Sequence, residues 1–133
     1  MKDVIFDHFQ NDVDEHLLRH KSILDIITKL QESNAKINRA VAKAVTNCGC
    51  IKIDAVKQEL PDDDDDNIEN LKACLRTHVT GELCGSCREI IEREIGNNQF
   101  YLASLCNTLD LNLYDIMLKE YDRMSTLGKY TFR

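Results

Sequence analysis

Four of the six cysteines fall into two short hooks, Cys48-Gly-Cys50 and Cys84-Gly-Ser-Cys87. Two thiolate hooks far apart in a chain can close one tetrahedral metal site, and a cage of four soft sulfurs suits zinc first. Each hook carries a glycine that lets the backbone curl so that both of its sulfurs face one centre. The second hook has the common zinc-knuckle spacing; the first, with one intervening residue, is less usual, and 33 residues separate Cys50 from Cys84. Reduced thiols without a metal, an iron–sulfur cluster and disulfides are the other states open to such a set. A site closed by four thiolates has no open position, so a metal held there would be structural rather than catalytic.

The remaining metal-ligating types are less organised. His16 and His20 stand four apart, without the glutamate after the first histidine that a zinc-protease motif requires. Cys74 and His78 have the same spacing and are reserve ligands for the cysteine site. Cys106 falls among apolar residues, where a small thiol packs as core. Asp62 to Asp66 follow Pro61 as five adjacent carboxylates, which repel one another and read as a solvated linker. They lack the alternating ligands, central glycine and closing glutamate of a calcium loop.

The net charge is −6, which argues against a nucleic-acid binder, since phosphate contacts need a concentrated basic face. Lys29, Lys36, Arg39 and Lys43 do recur near one side of a helix, and a solvated face explains them most simply. No apolar run reaches the roughly 18 residues of a membrane span, and the first residues, MKDVIFDHFQNDVDEH, lack the layout of a secretory leader. A cytoplasmic protein with reduced or metal-bound cysteines is the expectation.

The elements that must position these residues are helical. One proline and five glycines punctuate 133 residues, which fits a single domain, 1–133, of all-α class. From Asp12 to Val45, the apolar residues Val13, Leu17, Leu24, Ile27, Leu30, Ile37, Val41 and Val45 recur at helical spacing. This predicts one very long helix or two in series, with Asn34 and Asn38 as the points where a break could fall. Gly49 stops the run. Residues 47–87 form an irregular insert, with the acidic linker near 61–66 and a short helix capped by Asn67 running to about His78. Arg88 to Leu109 predicts a core helix with Ile91, Ile95, Leu102, Leu105, Cys106 and Leu109 on one face. Asp110 or Asn112 then caps a last helix with Leu113, Ile116, Met117 and Tyr121 inward, antiparallel to the one before it. Tyr130 and Phe132 in the tail are candidates to dock on a surface or on a second subunit.

The segment EIGNNQFYLASLCNTLDLNLYDIMLKEYDR, Glu94 to Arg123, resembles the last two helices of the MazG-like all-α nucleoside triphosphate pyrophosphohydrolases. In that family a helix opening E-[IL]-G-D runs through F-Y-L to L-G-I-D-L and a final helix. LQESNAKINRAV, Leu30 to Val41, sits more loosely where the family has L-x-E-E-x-G-E-L-x-x-A-I. The resemblance implies a helical bundle that dimerises. It also implies an E-x-x-E pair on one helix and E-x-x-D on the next, carboxylates one turn apart that hold magnesium against a triphosphate.

Here the pattern departs. Ser33 and Lys36 stand at the first pair and Glu94 and Asn97 at the second, so three of four carboxylates are missing. The insert is also foreign to the family pattern. A rebuilt magnesium cluster would have to draw on Glu32, Glu89, Glu92 and Glu94. Otherwise the slots would form a nucleotide-binding pocket without hydrolysis, with Lys36, Arg39 and Asn97 as contacts. The expectation is therefore a MazG-like bundle with a structural zinc at Cys48, Cys50, Cys84 and Cys87, homodimeric, binding a nucleotide or a protein. The alternatives are an active magnesium-dependent pyrophosphohydrolase and a zinc-stabilised nucleic-acid regulator.

Overall fold

The computed structural model describes residues 2–61 and 68–127. The acidic run Asp62–Asp66, the Asn67 cap, Tyr130 and Phe132 lie outside the described residues. Five α-helices dominate: α1 (Lys2–His16), α2 (Ile23–Lys43), α3 (Ile68–Cys74), α4 (Gly85–Thr108) and α5 (Leu113–Leu127). A π-helical turn, Ala44–Cys48, extends α2. Within the insert, strands β1 (Ile51–Ile53) and β2 (Val79–Gly81) pair antiparallel, with Ile51 opposite Gly81 and Ile53 opposite Val79. The described residues are thus mostly helical, with one small ribbon.

The long N-terminal run does break, but at residues 17–22 rather than at Asn34 or Asn38. Ser22 caps α2 by accepting the Leu24 N–H at 3.3 Å, and Asp25 sits in the first turn, where the positive helix end favours a carboxylate. That Ser-x-x-Asp signature was the available signal. Asn34 does not compete with its own backbone because α4 occupies it: Asn98 Nδ2 donates to Asn34 Oδ1 at 2.7 Å and to Ser33 Oγ at 2.9 Å. As residue numbers rise along α2 from Ser33 to Ala44, their α4 partners fall from Asn98 to Ile91, so the two helices run antiparallel.

On its other side α4 meets α1, and α5 packs chiefly against α1 rather than lying back along α4. The α4–α5 connection is a Schellman motif. Asp110 takes φ +56°, Leu111 N–H donates to Cys106 O at 2.8 Å, and Asn112 Oδ1 then accepts the Asp115 N–H at 2.9 Å to open α5. Buried Gln10 of α1 locks this corner. Its amide donates to Asn107 Oδ1 at 2.9 Å and to Leu111 O at 2.7 Å, and its oxygen accepts the Leu113 N–H at 2.8 Å.

The interior differs from the predicted stripes. Val13, Leu17, Ile26, Ala44, Ile91, Ala103, Ser104 and Cys106 are buried, and Ile26 is the largest apolar side chain fully enclosed among the described residues. Leu24, Ile27, Val41, Ile95, Leu102, Leu109, Ile116, Met117 and Tyr121 are exposed instead. The apolar faces of these helices are wider than the strip that their neighbours cover.

Candidate metal centre

The two cysteine hooks meet where α2, the ribbon and α4 come together. After the π-turn, Gly49 takes φ +76° and donates its N–H to Ala44 O at 2.9 Å. This left-handed residue reverses the chain between Cys48 and Cys50. β1 then leads away, and β2 returns to Gly81 at φ +86°, where a Cβ would lie 2.5 Å from Cys50 O. Only glycine allows the two hooks this approach. Cys84 is the N-cap of α4: its sulfur accepts the Cys87 N–H at 3.4 Å and its carbonyl accepts the Arg88 N–H at 2.9 Å. Beneath the hooks lies an apolar floor of Ala44, Ile51 and Ile91, joined by Ala40, Val45, Cys50, Leu83 and Cys87.

The sulfurs of Cys48, Cys50, Cys84 and Cys87 all lie within 4.8 Å of one another, and Cys48 and Cys84 approach to 3.7 Å. A tetrahedron with metal–sulfur bonds of about 2.3 Å has edges of about 3.8 Å, so one ion fits this spacing. No disulfide links the six cysteines, and 3.7 Å is far beyond the ~2.05 Å of an S–S bond. A four-iron cubane would hold its thiolates well apart, so the compact set favours a single ion. Among the described residues no other group of three or more His, Cys, Asp or Glu side chains is gathered closely enough to hold a metal.

The electrostatics suit a cation. The Cys87 N–H at its sulfur, followed by thiol hydrogen bonds from Cys87 and Cys48, draws Cys84 down to about 7. Cys87, whose thiol is held by Cys84, is pushed up to about 12, and Cys48 is also raised, first by Cys84. One thiolate thus forms readily at the α4 N-terminus, and further negative charge beside it is resisted. A cation removes that resistance and lets the remaining sulfurs ionise.

The other candidates are not drawn into a centre. Helix α1 ends at His16, whose Nδ1 lies 2.7 Å from Asp12 O, so His16 and His20 do not share a helix face. His78, at φ +61°, sets Nε2 2.6 Å from Val56 O, and Cys74 ends α3; neither joins the four sulfurs. Cys106 is buried, and burial raises its thiol.

Glu32, Glu89, Glu92 and Glu94 do not gather three carboxylates at metal-holding distance. Glu32 lies between Lys36 and Lys29 at 3.2 Å from each, which holds its carboxyl below the usual range, the Lys36 hydrogen bond contributing most. Lys36 is raised chiefly by Glu32, with smaller contributions from Glu94 and Tyr101. Glu89 pairs with Arg93 at 3.2 Å on the same exposed flank, Glu92 is exposed, and neither joins Glu32. Arg39 and Asn97 are exposed, and it is Asn98 that faces α2. Sequence reasoning missed Asn98, and also the Gln10–Asn107 pair, whose signal was an amide between Phe6 and Val13 on an otherwise apolar face.

Fold and site define a helical protein with a four-cysteine cluster that could hold a metal ion. Compared with protein-family models, curated proteins and solved structures, the chain matches none of them. No described helix is long and apolar enough to cross a membrane.

Proposed function

We propose that this chain is a non-catalytic binding or regulatory module of MazG-like architecture, in which zinc at Cys48, Cys50, Cys84 and Cys87 fastens the insert to the bundle. The convergence of four sulfurs at single-ion spacing, with Cys48 and Cys84 3.7 Å apart, carries this reading. Zinc is the ion of choice for a closed thiolate cage that needs no redox chemistry, and it contributes folding energy there.

The slots inherited from the resemblance support binding over hydrolysis. Ser33 is buried and bonded to Asn98, and Lys36 is ion-paired to Glu32. Glu32 also offsets part of the charge that Lys36 would offer a triphosphate, and the module's ligand is a nucleotide or a protein. With Glu32 bridging Lys29 and Lys36, the basic face of α2 is weakened as a nucleic-acid surface as well.

The test begins with protein purified anaerobically without chelators. Metal analysis is expected to find one zinc per chain, and a nucleoside triphosphate panel with magnesium or manganese is expected to release no pyrophosphate. A metal-free protein would overturn the zinc centre. Turnover that disappears in Glu94→Ala would overturn the non-catalytic reading and return attention to the magnesium enzyme.

A further inference from the structure

The four sulfurs of the cluster do not share one environment. Cys50 and Cys87 pack against the apolar floor of Ala44, Ile51 and Ile91, and Cys50 Sγ also lies 3.8 Å from Ala44 O. Cys48 is the exposed member of the set, and its sulfur is 3.7 Å from that of partly buried Cys84. The glycines that follow these two residues leave their outer side open: a Cβ at Gly49 or at Gly85 would meet nothing beyond its own turn within 4 Å. The cluster thus has an inner pair of sulfurs held against carbon. Its outer pair, Cys48 and Cys84, is in sulfur–sulfur contact and within reach of small solutes.

The outer pair also joins different elements. Cys48 ends the π-turn after α2 and Cys84 caps α4, 36 positions further along. A bond between their sulfurs would tie the same two helix ends that a metal there would tie. Closing 3.7 Å to the ~2.05 Å of a disulfide asks for less movement than one rotamer change gives a cysteine sulfur. A bridge within either hook would span only one or two residues and fasten nothing across the insert.

We propose that Cys48 and Cys84 are an oxidative modification site, at which a hydroperoxide exchanges the metal clamp of the insert for a disulfide clamp between the same helix ends. The proposal rests on the zinc reading above for the ion that leaves, and on sulfur geometry alone for the bond that forms. With hydrogen peroxide, the Cys48 sulfur attacks one oxygen, the O–O bond breaks, and Cys48 becomes a sulfenic acid while the other oxygen leaves as water. The Cys84 sulfur then attacks the Cys48 sulfur. The S–O bond breaks, the S–S bond forms, and the oxygen leaves as a second water. Two electrons pass from the two sulfurs to the peroxide, and the two waters take two protons from solvent. The ion keeps only Cys50 and Cys87, half of the ligands that a closed zinc site uses. It departs as the free dication while those two thiolates take up one proton each. The reduced chain is clamped by metal and the oxidised chain by a covalent bond, so release of zinc does not loosen the insert.

Protein purified anaerobically is first analysed for zinc, which reads the metal centre by itself. One equivalent of hydrogen peroxide per chain is then added with a zinc indicator present, the remaining thiols are alkylated, and bridges are located by peptide mass spectrometry. Release of one zinc per chain is expected, with four of the six thiols left to alkylate and a Cys48–Cys84 bridge within one chain. Helicity is expected to persist, with a Tm well above that of reduced protein treated with a chelator. Cys48→Ser is expected to form no bridge to Cys84, and Cys74→Ser to react as the parent does. Because Cys48→Ser also removes a metal ligand, the map of the parent's own bridge decides the proposal. A bridge within either hook, between Cys50 and Cys87 or between two chains overturns it, as do thiols untouched by an excess of peroxide. So does a bridged chain that melts with the chelated one. A chain that carries no zinc at the start yet forms the Cys48–Cys84 bridge upholds the modification site and overturns the zinc reading; a zinc-loaded chain that forms no such bridge does the reverse.

Discussion

Cys84→Ser removes the residue that both ends the Cys48 contact and caps α4. A metal at the cluster would cross-link Cys48 to Cys84, positions that stand 36 apart. Treated as a covalent bridge, closing such a loop removes about 13 cal/mol/K from the unfolded chain, or about 4 kcal/mol at room temperature. For a chain of 133 residues, an unfolding entropy of about 280 cal/mol/K converts that into a fall in Tm of about 14 °C. Far-ultraviolet circular dichroism melts of four samples give the comparison: parent and Cys84→Ser, each with and without a chelator. The parent is expected to drop on chelation to about the level of the variant, and the variant not to respond. Cys74→Ser, outside the cluster, is expected to melt with the parent and keep its metal. A parent that is indifferent to chelation, or a Cys84→Ser chain that melts with it, would refute the cross-link.

Two further outcomes follow from the geometry of the hooks. Gly81→Ala places a Cβ 2.5 Å from Cys50 O on a backbone at φ +86°, and is expected to cost about 1–3 kcal/mol and to lower metal content. Gly49→Ala meets no atom within 4 Å and is expected to cost only about 1 kcal/mol for its left-handed backbone; denaturant titration with metal analysis separates the two. Metal retention is expected to weaken on acidification, because protons compete for the sulfurs. Cys84 ionises near 7 in the fold against an ordinary 9.0, so its thiolate contributes stability fully above about 9, and that contribution is lost as pH falls through about 7. Dialysis across this range with a zinc indicator checks the direction; retention that rises with acidity would exclude thiolate ligation.

Helices and hooks were legible in the sequence because both are local. The 3.6-residue period of α4, the Asn112 cap and the left-handed Gly49 of CGC act within a few residues, and the structure contains each of them; Gly85 of CGSC instead opens α4 in ordinary helical backbone that does not require glycine. The ribbon was not legible, since three-residue strands are too short for alternation to show, and its register depends on Gly81 meeting Cys50 across the insert. The faces of the helices were misjudged for a related reason. A broad apolar stripe tells which residues could be buried, and the partner decides which are. Along α2 and its π-turn, small Ala40 and Ala44 pack with Ile91 of α4 and buried Ser33 bonds to Asn98, while Leu24, Ile27 and Val41 remain outside.

Polar contacts between helices carry no period at all, yet here they set the register. Asn98 bonded to Ser33 and Asn34 fixes α4 along α2, and Gln10 bonded to Asn107 and Leu111 fixes α1 at the other end of α4. A buried amide left without its partners costs about 1–3 kcal/mol, so a slip of either helix by one turn is opposed at both ends. Helix α4 is thereby held along its whole length, by amides toward its C-terminal end and by the cysteine hooks at its first turn. In this arrangement the positions where the resemblance would place catalytic carboxylates on α2 are occupied by a buried serine and an ion-paired lysine. There Ser33 holds α2 to α4 through Asn98, and Lys36 pairs with Glu32 along α2 itself.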